Sequence, residues 1–303
     1  MTARLPYGVS AGSGVAAVEA RSPQVDYSKV RDYWRRATPS ILGPYMMDGF
    51  GFPAGAGRFR FRREQEAVAG TVESLPSSCS VLDLGSGVGF WTEYFAQRFA
   101  HVTSVEASPV LYSALTDRCS RYSNVTTCNA NVLSYEPPEK IGLVFLGGLL
   151  MYLDEDDVRA LLERLAPRLE PGALVLCRES TVRHGTRVLQ GEYQVVYRSV
   201  ATYRRLFADA GFEVVSAETN AAYICPQMGC ELVKKWKSLV PERFWCLPVI
   251  GRLTYWSFRI GYPWNTKVIP TLSARIGWAF PSLTNHFFVL RPRRSAERGR
   301  SAK

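Results

Sequence analysis

The chain has 303 residues, of which 47% are hydrophobic and 21% are charged, and its formal net charge is +10. This composition is typical of a soluble globular protein and suits one α/β domain with additions. No long apolar run and no apolar N-terminal core occur, so we expect neither a membrane-spanning helix nor a signal peptide. The seven cysteines form no Cys-x-x-Cys pair, which favours reduced thiols, a cytoplasmic location and no metal site.

The sequence before the core is predicted to form a tail and a lid. Residues 1–25 are mostly small and lack periodicity, which is typical of a disordered tail. Helices are expected at 27–36 and 64–75. Between them, the aromatic, methionine and glycine residues of 43–53 favour either a flexible lid over a pocket or a loop packed on the domain edge. We therefore predict an N-terminal helical lid at 26–76.

A strand followed by a glycine-rich turn organises the middle of the chain. The run Val81–Leu84 predicts a buried parallel strand, and Gly85, Gly87 and Gly89 follow it before a helical pattern starts. Glycines in such a turn let backbone amides approach a ligand closely, and the helix N-terminus favours an anionic or electron-rich group. A lone G-x-G-x-G also occurs for structural reasons alone, so the motif needs support from the strands that follow.

The next strand supplies that support. Val102–Glu106 has the pattern of a strand that ends in an acidic residue. A carboxylate about 20 residues after the glycines is placed to accept hydrogen bonds from both ribose hydroxyls of an adenosine. This arrangement suits NAD and S-adenosylmethionine equally, so the later elements have to distinguish the two.

The remaining elements complete a predicted α/β fold. After Glu106, a helix capped by Ser108 leads to a third strand, and a helix that starts at Asp154 separates two further strands. We expect a Rossmann-like, seven-stranded, mostly parallel sheet, with a core at 77–226 and a helical insertion before a last strand at 284–292. The later strands are expected at 125–128, 141–146, 173–179, 212–215 and 285–290.

This order of elements resembles that of the class I S-adenosylmethionine-dependent methyltransferases over residues 80–215 and the last strand. Its most specific parts are L-D-L-G-S-G-V-G-F, the position of Glu106, and the block M-Y-L-D…L-E-P-G-A-L-V-L. That block argues against an NAD-dependent oxidoreductase, which would need a second mononucleotide-binding half. The resemblance implies S-adenosyl-L-methionine as the cofactor and these cofactor-binding residues: Asp83, Gly85, Ser86, Gly87, Gly89, Glu106, Ala107, Asn131, Val132 and Gly147.

The role of Asn131 has two interpretations. It falls where this superfamily usually has an acidic or polar residue near the adenine amine, and its carbonyl oxygen can accept that hydrogen bond. Alternatively, Asn131 is a loop asparagine that caps a turn.

The sequence before the core has a second, looser resemblance. Its motifs at residues 27–34 and 47–51 are similar to the N-terminal segment of the α-N-terminal protein methyltransferases, which covers the cofactor and shapes the acceptor channel. In that family an arginine directly after the glycine turn holds the methionyl carboxylate, whereas this chain has Phe90 there. The departure counts against a protein substrate and leaves that role to one of four arginines: Arg58, Arg60, Arg62 or Arg63.

Three residues are catalytic candidates on the acceptor side, at the carboxyl ends of two parallel strands. Tyr152 follows the fourth strand, Glu179 ends the fifth, and His184 lies just beyond it. The α-N-terminal protein methyltransferases have an acidic residue near the acceptor amine that corresponds roughly to Glu179. Alternatively, Glu179 is a surface residue paired with Arg178 or Arg183. His184 is either a base for the acceptor or a solvated loop histidine.

The insertion predicted at 227–283 is rich in tryptophan and basic residues. Residues 232–303 contain 14 Lys and Arg against 2 Asp and Glu, while the rest of the chain is near neutral. One interpretation is a cap that binds an apolar acceptor or the surface of an anionic membrane. The others are a helical subdomain with its own core and a basic rim, or a surface that stacks nucleic-acid bases. The tail 293–303 is predicted to be a solvated basic run.

Together these observations predict an enzyme that transfers a methyl group to an oxygen or nitrogen atom of a small, apolar acceptor, such as a secondary metabolite or a lipid-like precursor. The first alternative is an α-N-terminal protein methyltransferase. The second is a non-catalytic module that keeps the fold for cofactor binding or as a scaffold. The predicted partners are a small molecule and the surface of an anionic membrane, and nucleic acid is not favoured.

Overall fold

The computed structural model describes residues 25–37, 49–138 and 140–293. The predicted disordered tail lies outside the described residues except for Val25, and so does the basic tail after Arg293. Of the predicted lid segment at 43–53, the part up to residue 48 also lies outside them.

The strands of the described residues form a single sheet. They are β1 (Ser80–Leu84), β2 (His101–Glu106), β3 (Val125–Asn129), β4 (Ile141–Gly147), β5 (Leu169–Val182), β6 (Thr186–Leu189), β7 (Val195–Ser199), β8 (Phe212–Thr219) and β9 (Thr284–Pro292). Seven of them have the order β3-β2-β1-β4-β5-β9-β8, and β9 runs antiparallel to both of its neighbours. The prediction of a mostly parallel, Rossmann-like α/β sheet is confirmed.

The hairpin of β6 and β7 adds two strands to the predicted seven. β7 pairs with the end of β5 at Thr181 and Val182, beyond the point where β4 ends. All five residues of β7 are buried, so it lacks the alternation of apolar and polar residues that indicates a half-exposed strand. No alternation of apolar and polar residues therefore indicates this hairpin in the sequence.

The helices cover the sheet and form the insertion. They are α1 (Tyr27–Arg35), α2 (Ala56–Glu73), α3 (Phe90–Ala96), α4 (Pro109–Cys119), α5 (Glu155–Leu165), α6 (Val200–Asp209), α7 (Ala221–Leu239), α8 (Leu247–Ile260) and α9 (Asn265–Arg275). The side chains of Ser108 and Ser199 accept hydrogen bonds at the starts of α4 and α6, as N-cap residues do.

Apolar layers lie on both faces of the sheet. One layer contains α5 and α6, with Leu161 and Phe207 packed against one set of strand side chains. The other contains α2 and α3, with Val68, Trp91 and Phe95 against the alternate set. Because the central parallel strands are covered on both faces, their side chains are almost continuously apolar.

Two helices begin earlier than the sequence predicts. α2 begins at Ala56 instead of residue 64, because its inward face carries the buried ion pair of Arg60 and Glu64 rather than an apolar stripe. α7 begins at Ala221, and so it crosses the predicted boundary between the core and the insertion at residue 227.

The insertion folds on a small apolar core of its own. α8 and α9 both pack on α7. Side chains from all three helices meet in that core, and Phe280 joins them from the segment before β9. Within the described ranges, no helix has both the length and the apolar character needed to cross a membrane. The residues of the core are Ile224, Met228 and Phe280, packed against Leu232, Phe258 and Ile269.

The described end of the lid segment packs directly on α8. A Cβ atom on Gly251 would lie 2.1 Å from the carbonyl oxygen of Phe50, so the two backbones are in close contact. Phe50 and Phe52 stack with 5.8 Å between ring centroids, and Phe52 also contacts Tyr255 of α8. The insertion therefore holds residues 50–52 of the predicted lid segment in place.

We expect Gly251→Ala to lower the free energy of unfolding by about 1–3 kcal/mol, because the added methyl group would overpack the contact between α8 and the lid. Gly70→Ala in α2 is the matched control, since no protein atom lies within 4 Å of its Cβ position. Helix propensity should make the control more stable by about 0.5–1 kcal/mol. Urea denaturation measures both variants, and equal stabilisation of the two would contradict the close packing described here.

Candidate active site

The crevice at the carboxyl ends of the parallel strands brings the predicted residues together. The strand order reverses between β1 and β4, so the loops that follow these strands diverge. The glycine turn follows β1, Glu106 ends β2, and Gly147 ends β4. In an open α/β sheet, ligands bind at such a switch point.

The turn after β1 uses glycine for two different reasons. Gly85, Gly87 and Gly89 have φ angles of 71°, 57° and 83°, a region that other residues rarely adopt. A Cβ on Gly89 would lie 2.6 Å from Leu115 Cδ1, so the Leu115 side chain would have to shift to admit a larger residue there. A Cβ on Gly87 would meet no protein atom within 4 Å. Gly87 therefore faces open space, which leaves room for a ligand.

Glu106 connects the glycine turn to the loop after β2. Its carboxylate accepts a hydrogen bond from the Gly87 N–H at 2.8 Å and another from the Ser108 N–H at 2.7 Å. Burial raises the pKa of this carboxyl, and the backbone hydrogen bonds from Ser108 and Gly87 oppose the rise. A carboxylate offers about four acceptor positions, so capacity remains for hydroxyl groups in the crevice.

Asp83 lies beneath the turn, where it is 1% exposed. The Thr92 hydroxyl donates to its carboxylate at 2.6 Å, and the chain of hydroxyl groups continues through Ser104 to Ser86. Burial raises the pKa of Asp83 to about 7, and the hydrogen bond from Thr92 opposes this rise. This buried chain fixes the glycine turn against β2.

Asn131 is exposed directly after β3 and caps a turn. Its side-chain oxygen accepts a hydrogen bond from the Leu133 N–H at 3.0 Å. An amide oxygen has two lone pairs, so one stays open to a donor in the crevice. The capping interpretation is therefore correct, and it leaves the predicted contact with adenine open.

The other predicted cofactor residues differ in their surroundings. Ala107 is exposed on the loop after β2, whereas Val132 is buried in the apolar layer that contains α5 and α6. A Cβ on Gly147 would lie 2.7 Å from the Phe145 ring, so glycine is needed there for packing. Only backbone atoms of Gly147 are available to a ligand.

Glu179 is fully buried, so its interpretation as a surface residue paired with Arg178 or Arg183 is wrong. Its carboxylate accepts a hydrogen bond from the Leu150 N–H at 2.9 Å. Burial raises the pKa of Glu179 to about 7, and the hydrogen bond from Leu150 opposes this rise. Glu179 therefore shapes the turn that follows β4.

A buried arginine that the sequence did not indicate holds the same turn. Arg198 is 0% exposed and donates to the carbonyl oxygens of Leu150 and Leu153 at 2.9 and 2.7 Å. It comes from β7, which packs beside this turn. A single arginine before a helix carries no sequence signal of burial, and its partners lie more than forty residues away.

Tyr152 lies in an aromatic cluster beneath α1. Its hydroxyl is 2.9 Å from that of Tyr193, and its ring packs edge-on against Trp34. Tyr33 packs on Tyr193 in the same way. The carbonyl oxygen of Trp34 accepts a hydrogen bond from Ser108, the residue that also donates to Glu106. α1 therefore covers the crevice between the loops after β2 and β4.

The structure places His184 apart from this cluster, on the exposed loop between β5 and β6. A different histidine is built into the sheet. His286 of β9 pairs with Glu179 in the register of the two strands and shares a hydrogen bond with the Thr181 hydroxyl at 2.8 Å. Burial lowers the pKa of His286 to about 4, so this ring is neutral at pH 7.

A buried ionic network lies between α2, β5 and α7. Glu64 is 0% exposed, and both Arg60 and Arg178 lie 3.0 Å from its carboxylate. Asn220 donates to the same carboxylate at 2.8 Å. A Cβ on Gly148 would lie 3.6 Å from Arg178, so the network reaches the loop after β4.

The burial of the side chains distinguishes the four arginines predicted to hold the methionyl carboxylate. In the related family an arginine directly after the glycine turn has that role, and this chain has Phe90 there. Arg60 points inward and is 6% exposed, whereas Arg58 and Arg62 are exposed on the outer side of α2. Arg63 pairs with Glu66 on the surface. The i,i+4 spacing of Arg60 and Glu64 was the sequence signal that could have indicated the network.

Comparison with known proteins identifies the family of this chain. A family model described as a methyltransferase domain matches residues 56–217, more than half of the chain. An α-N-terminal protein methyltransferase of Drosophila melanogaster is 25% identical over 198 residues, which cover 62% of this chain and 68% of that protein. A phosphoethanolamine N-methyltransferase of Triticum aestivum is 29% identical over 141 residues, 45% of this chain and 28% of that protein. The chain thus spans less than a third of that relative.

A solved structure supports the same fold. The 1,6-didemethyltoxoflavin N1-methyltransferase of Burkholderia thailandensis, with its substrate and S-adenosylhomocysteine bound, has a TM-score of 0.57 and 13% identity over 92% of this chain and 95% of that chain. The chain belongs to the methyltransferase-domain family, within the class I S-adenosylmethionine-dependent methyltransferases. The predictions of this superfamily, of its cofactor and of a methyltransferase are confirmed.

We expect Glu64→Ala to lower the free energy of unfolding by about 3–5 kcal/mol at pH 7, because two buried guanidinium groups lose the carboxylate that they share. Glu66→Ala is the matched control on the same helix. It breaks an exposed ion pair with Arg63 and should cost less than about 1 kcal/mol. Denaturant unfolding of the two variants measures the difference.

The effect of Glu64→Ala should depend on pH. Burial by itself would raise the pKa of Glu64, but the guanidinium groups of Arg178 and Arg60 outweigh burial and hold this pKa below its usual range. Such a carboxyl stabilises the fold above its unfolded-state pKa, and this contribution is lost as the pH falls through the folded-state pKa. The stability gap between wild type and variant should therefore narrow in acid. A gap that stays constant from about pH 7 to pH 3 would contradict the assignment.

Proposed function

We propose that this protein binds S-adenosylmethionine at the glycine turn and transfers its methyl group to an oxygen or nitrogen atom of a small, apolar acceptor. The observation that carries the proposal is the open Gly87 position beside the Glu106 carboxylate. The positive φ angle by itself favours glycine at this position, and what supports a ligand is that the open space lies beside the Glu106 carboxylate in the crevice.

The residues of the crevice fit this cofactor. Gly87 leaves free the space that a Cβ would fill, and the Glu106 carboxylate keeps acceptor capacity for a ribose hydroxyl beside its backbone hydrogen bonds from Ser108, Gly87 and Ala107. Asn131 offers a lone pair for the adenine amine, while Ala107 and the backbone of Gly147 border the crevice. When bound, the sulfonium supplies an electrophilic methyl group.

The protein's own contribution is to hold the acceptor, orient its nucleophile and exclude water. Trp34, Tyr152 and Tyr193 offer an aromatic surface on the acceptor side of the crevice, which supports an apolar acceptor. The Tyr152 hydroxyl can donate to or accept from the acceptor. Glu179 is too deeply buried to touch it directly and acts as a positioning residue through Leu150.

A proton has to be removed when the acceptor is an alcohol or a protonated amine. His184, on the exposed loop after β5, stays the predicted base for that proton. His184→Ala should then lower turnover only for acceptors that lose a proton. The secondary-metabolite or lipid-like nature of the acceptor stays part of this proposal.

Methylation of a protein N-terminus is a second candidate. The Drosophila relative carries that name, and Arg60 is the inward-facing one of the four arginines predicted to replace the family's arginine, where it pairs with Glu64. Peptides with free N-termini are therefore the first acceptors to compare with small apolar amines and alcohols. A scaffold module without catalysis would bind S-adenosylmethionine and methylate neither.

We expect Gly87→Ala to weaken S-adenosylmethionine binding at least tenfold, because the new methyl group would occupy the open space at the turn. Gly172→Ala is the matched control. Gly172 also has a positive φ angle, of 88°, and also has no protein atom near its Cβ position, but it lies at the start of β5, at the opposite edge of the sheet. Titration calorimetry on both variants separates the loss of a ligand site from backbone strain. If Gly87→Ala and Gly172→Ala bind S-adenosylmethionine with equal affinity, the cofactor does not bind at this turn.

The proposed reaction is tested with methyl-labelled S-adenosylmethionine. Wild-type protein is incubated with a cell extract, and mass spectrometry identifies labelled products. Tyr152→Phe should lower the initial rate about three- to tenfold, the value of one hydrogen bond, without changing cofactor affinity. Tyr122→Phe is the control, because Tyr122 lies beside α3 and away from the crevice. Labelled peptides alone would favour the second candidate, and no labelled product of either kind would favour the scaffold module.

A further inference from the structure

The large exposed apolar side chains of the described residues are concentrated in the insertion. All but Val110 and Val215 lie between residues 239 and 278. Single exposed apolar residues are normal on a protein surface, but a contiguous set indicates an interaction site. The most exposed of them are Ile260 at 80%, Ile276 at 77% and Trp264 at 76%.

Most of these side chains form one apolar face on each of α8 and α9. On α8 they recur at spacings of four, three and four residues, and along α9 and its two cap residues they recur every fourth residue. At 3.6 residues per turn, such spacings put them on one side of a helix. We call this set the outer apolar face: Val249, Leu253, Trp256, Ile260, Trp264, Val268, Leu272 and Ile276.

The outer apolar face points away from the rest of the molecule. Phe258 of α8 and Ile269 of α9 pack on the core that the two helices share with α7. Gly251 and Tyr255 of α8 are buried on that inner side as well. On α8 the outer apolar face is therefore opposite to the side that packs on α7. On α9 its first two members, Trp264 and Val268, lie on the side away from Ile269.

Basic side chains border this face. Arg252, Lys267 and Arg275 are exposed on the two helices, and Arg243 is exposed just before α8. Between residues 239 and 278 the one acidic residue is Glu242. The surface is thus apolar in the middle and positively charged at its border.

We infer that the outer apolar face docks on the surface of an anionic bilayer. Its apolar side chains match the acyl region, and its basic border matches anionic headgroups. Tryptophan in particular favours the boundary between apolar and wet phases. Helices of 14 and 11 residues span about 21 and 17 Å, which is shorter than the hydrocarbon core of about 30 Å. They therefore lie on the membrane and do not cross it.

The positive charge around the outer apolar face favours a bilayer over a second copy of this chain as the partner. An isologous dimer through this face would bring the basic borders of two copies together, which like-charge repulsion disfavours. An anionic bilayer instead neutralises the same border. This inference concerns binding and holds for any acceptor that the active site uses.

The test is sedimentation of the full chain with vesicles of phosphatidylcholine, alone or mixed with phosphatidylserine. Wild type should pellet with the mixed vesicles and dissociate as salt is raised. The double variant Leu253→Ser, Ile260→Ser should bind at least about tenfold more weakly, because two large side chains no longer enter the acyl region. Val215→Ser is the control, since Val215 is an exposed apolar residue on β8.

Charge reversal gives a second, independent set of variants. Lys267→Glu with Arg275→Glu should reduce binding to mixed vesicles by at least about tenfold and remove most of its salt dependence. Arg204→Glu with Arg205→Glu on α6 changes net charge equally on another exposed surface and should have a small effect. Circular dichroism and S-adenosylmethionine affinity establish that each variant is folded.

Three results would overturn the inference. They are no pelleting of wild type with mixed vesicles, equal pelleting with neutral vesicles, and equal losses in the test and control variants. Sedimentation velocity adds a fourth. If the wild type is a dimer that Leu253→Ser with Ile260→Ser converts to a monomer, the outer apolar face is an interface between two copies.

Discussion

The buried carboxylate of Glu64 joins the three parts of the structure that surround the crevice. Glu64 belongs to the lid helix α2, Arg178 to the central strand β5, and Asn220 to the start of the insertion. Asn220 also donates to Asn285 of β9 at 2.9 Å. A charge buried this deeply is costly unless its partners are held in place. The Glu64 carboxylate therefore joins α2, the sheet and the start of α7 at one point.

Two neighbouring residues of β5, Arg178 and Glu179, make contacts on opposite faces of the sheet. Successive side chains of a strand point to opposite faces of the sheet. Arg178 therefore pairs with Glu64 on the side of α2, while Glu179 binds Leu150 and shapes the turn after β4 on the other. Both residues are ionisable groups inside the protein, and each is held by contacts with distant segments. Through these contacts they connect the loop after β4 to the core on both faces of the sheet.

Local sequence patterns predicted the sheet and the glycine turn, because short-range sterics determine both. The three glycines, the acidic end of β2 and the apolar strands are each visible within about ten residues. The partners of Glu179 and Arg198 were not predictable, since they depend on which distant segments meet. Glu64 and Asn220 are 156 residues apart in the chain. Neither those long-range polar contacts nor the fully buried strand β7 produces a periodic pattern in the sequence.

Two described segments that precede the sheet contact the crevice and the insertion. α1 rests on Tyr152 and Ser108 at the crevice, and the chain reaches α8 again at Phe50 and Gly51. The same helix carries the lid contact on one side and the outer apolar face on the other. If the outer apolar face docks on a bilayer as inferred, an apolar acceptor dissolved there avoids part of a costly passage through water. A water-soluble acceptor would gain nothing from this arrangement, so docking and acceptor polarity are physically connected although each is tested separately.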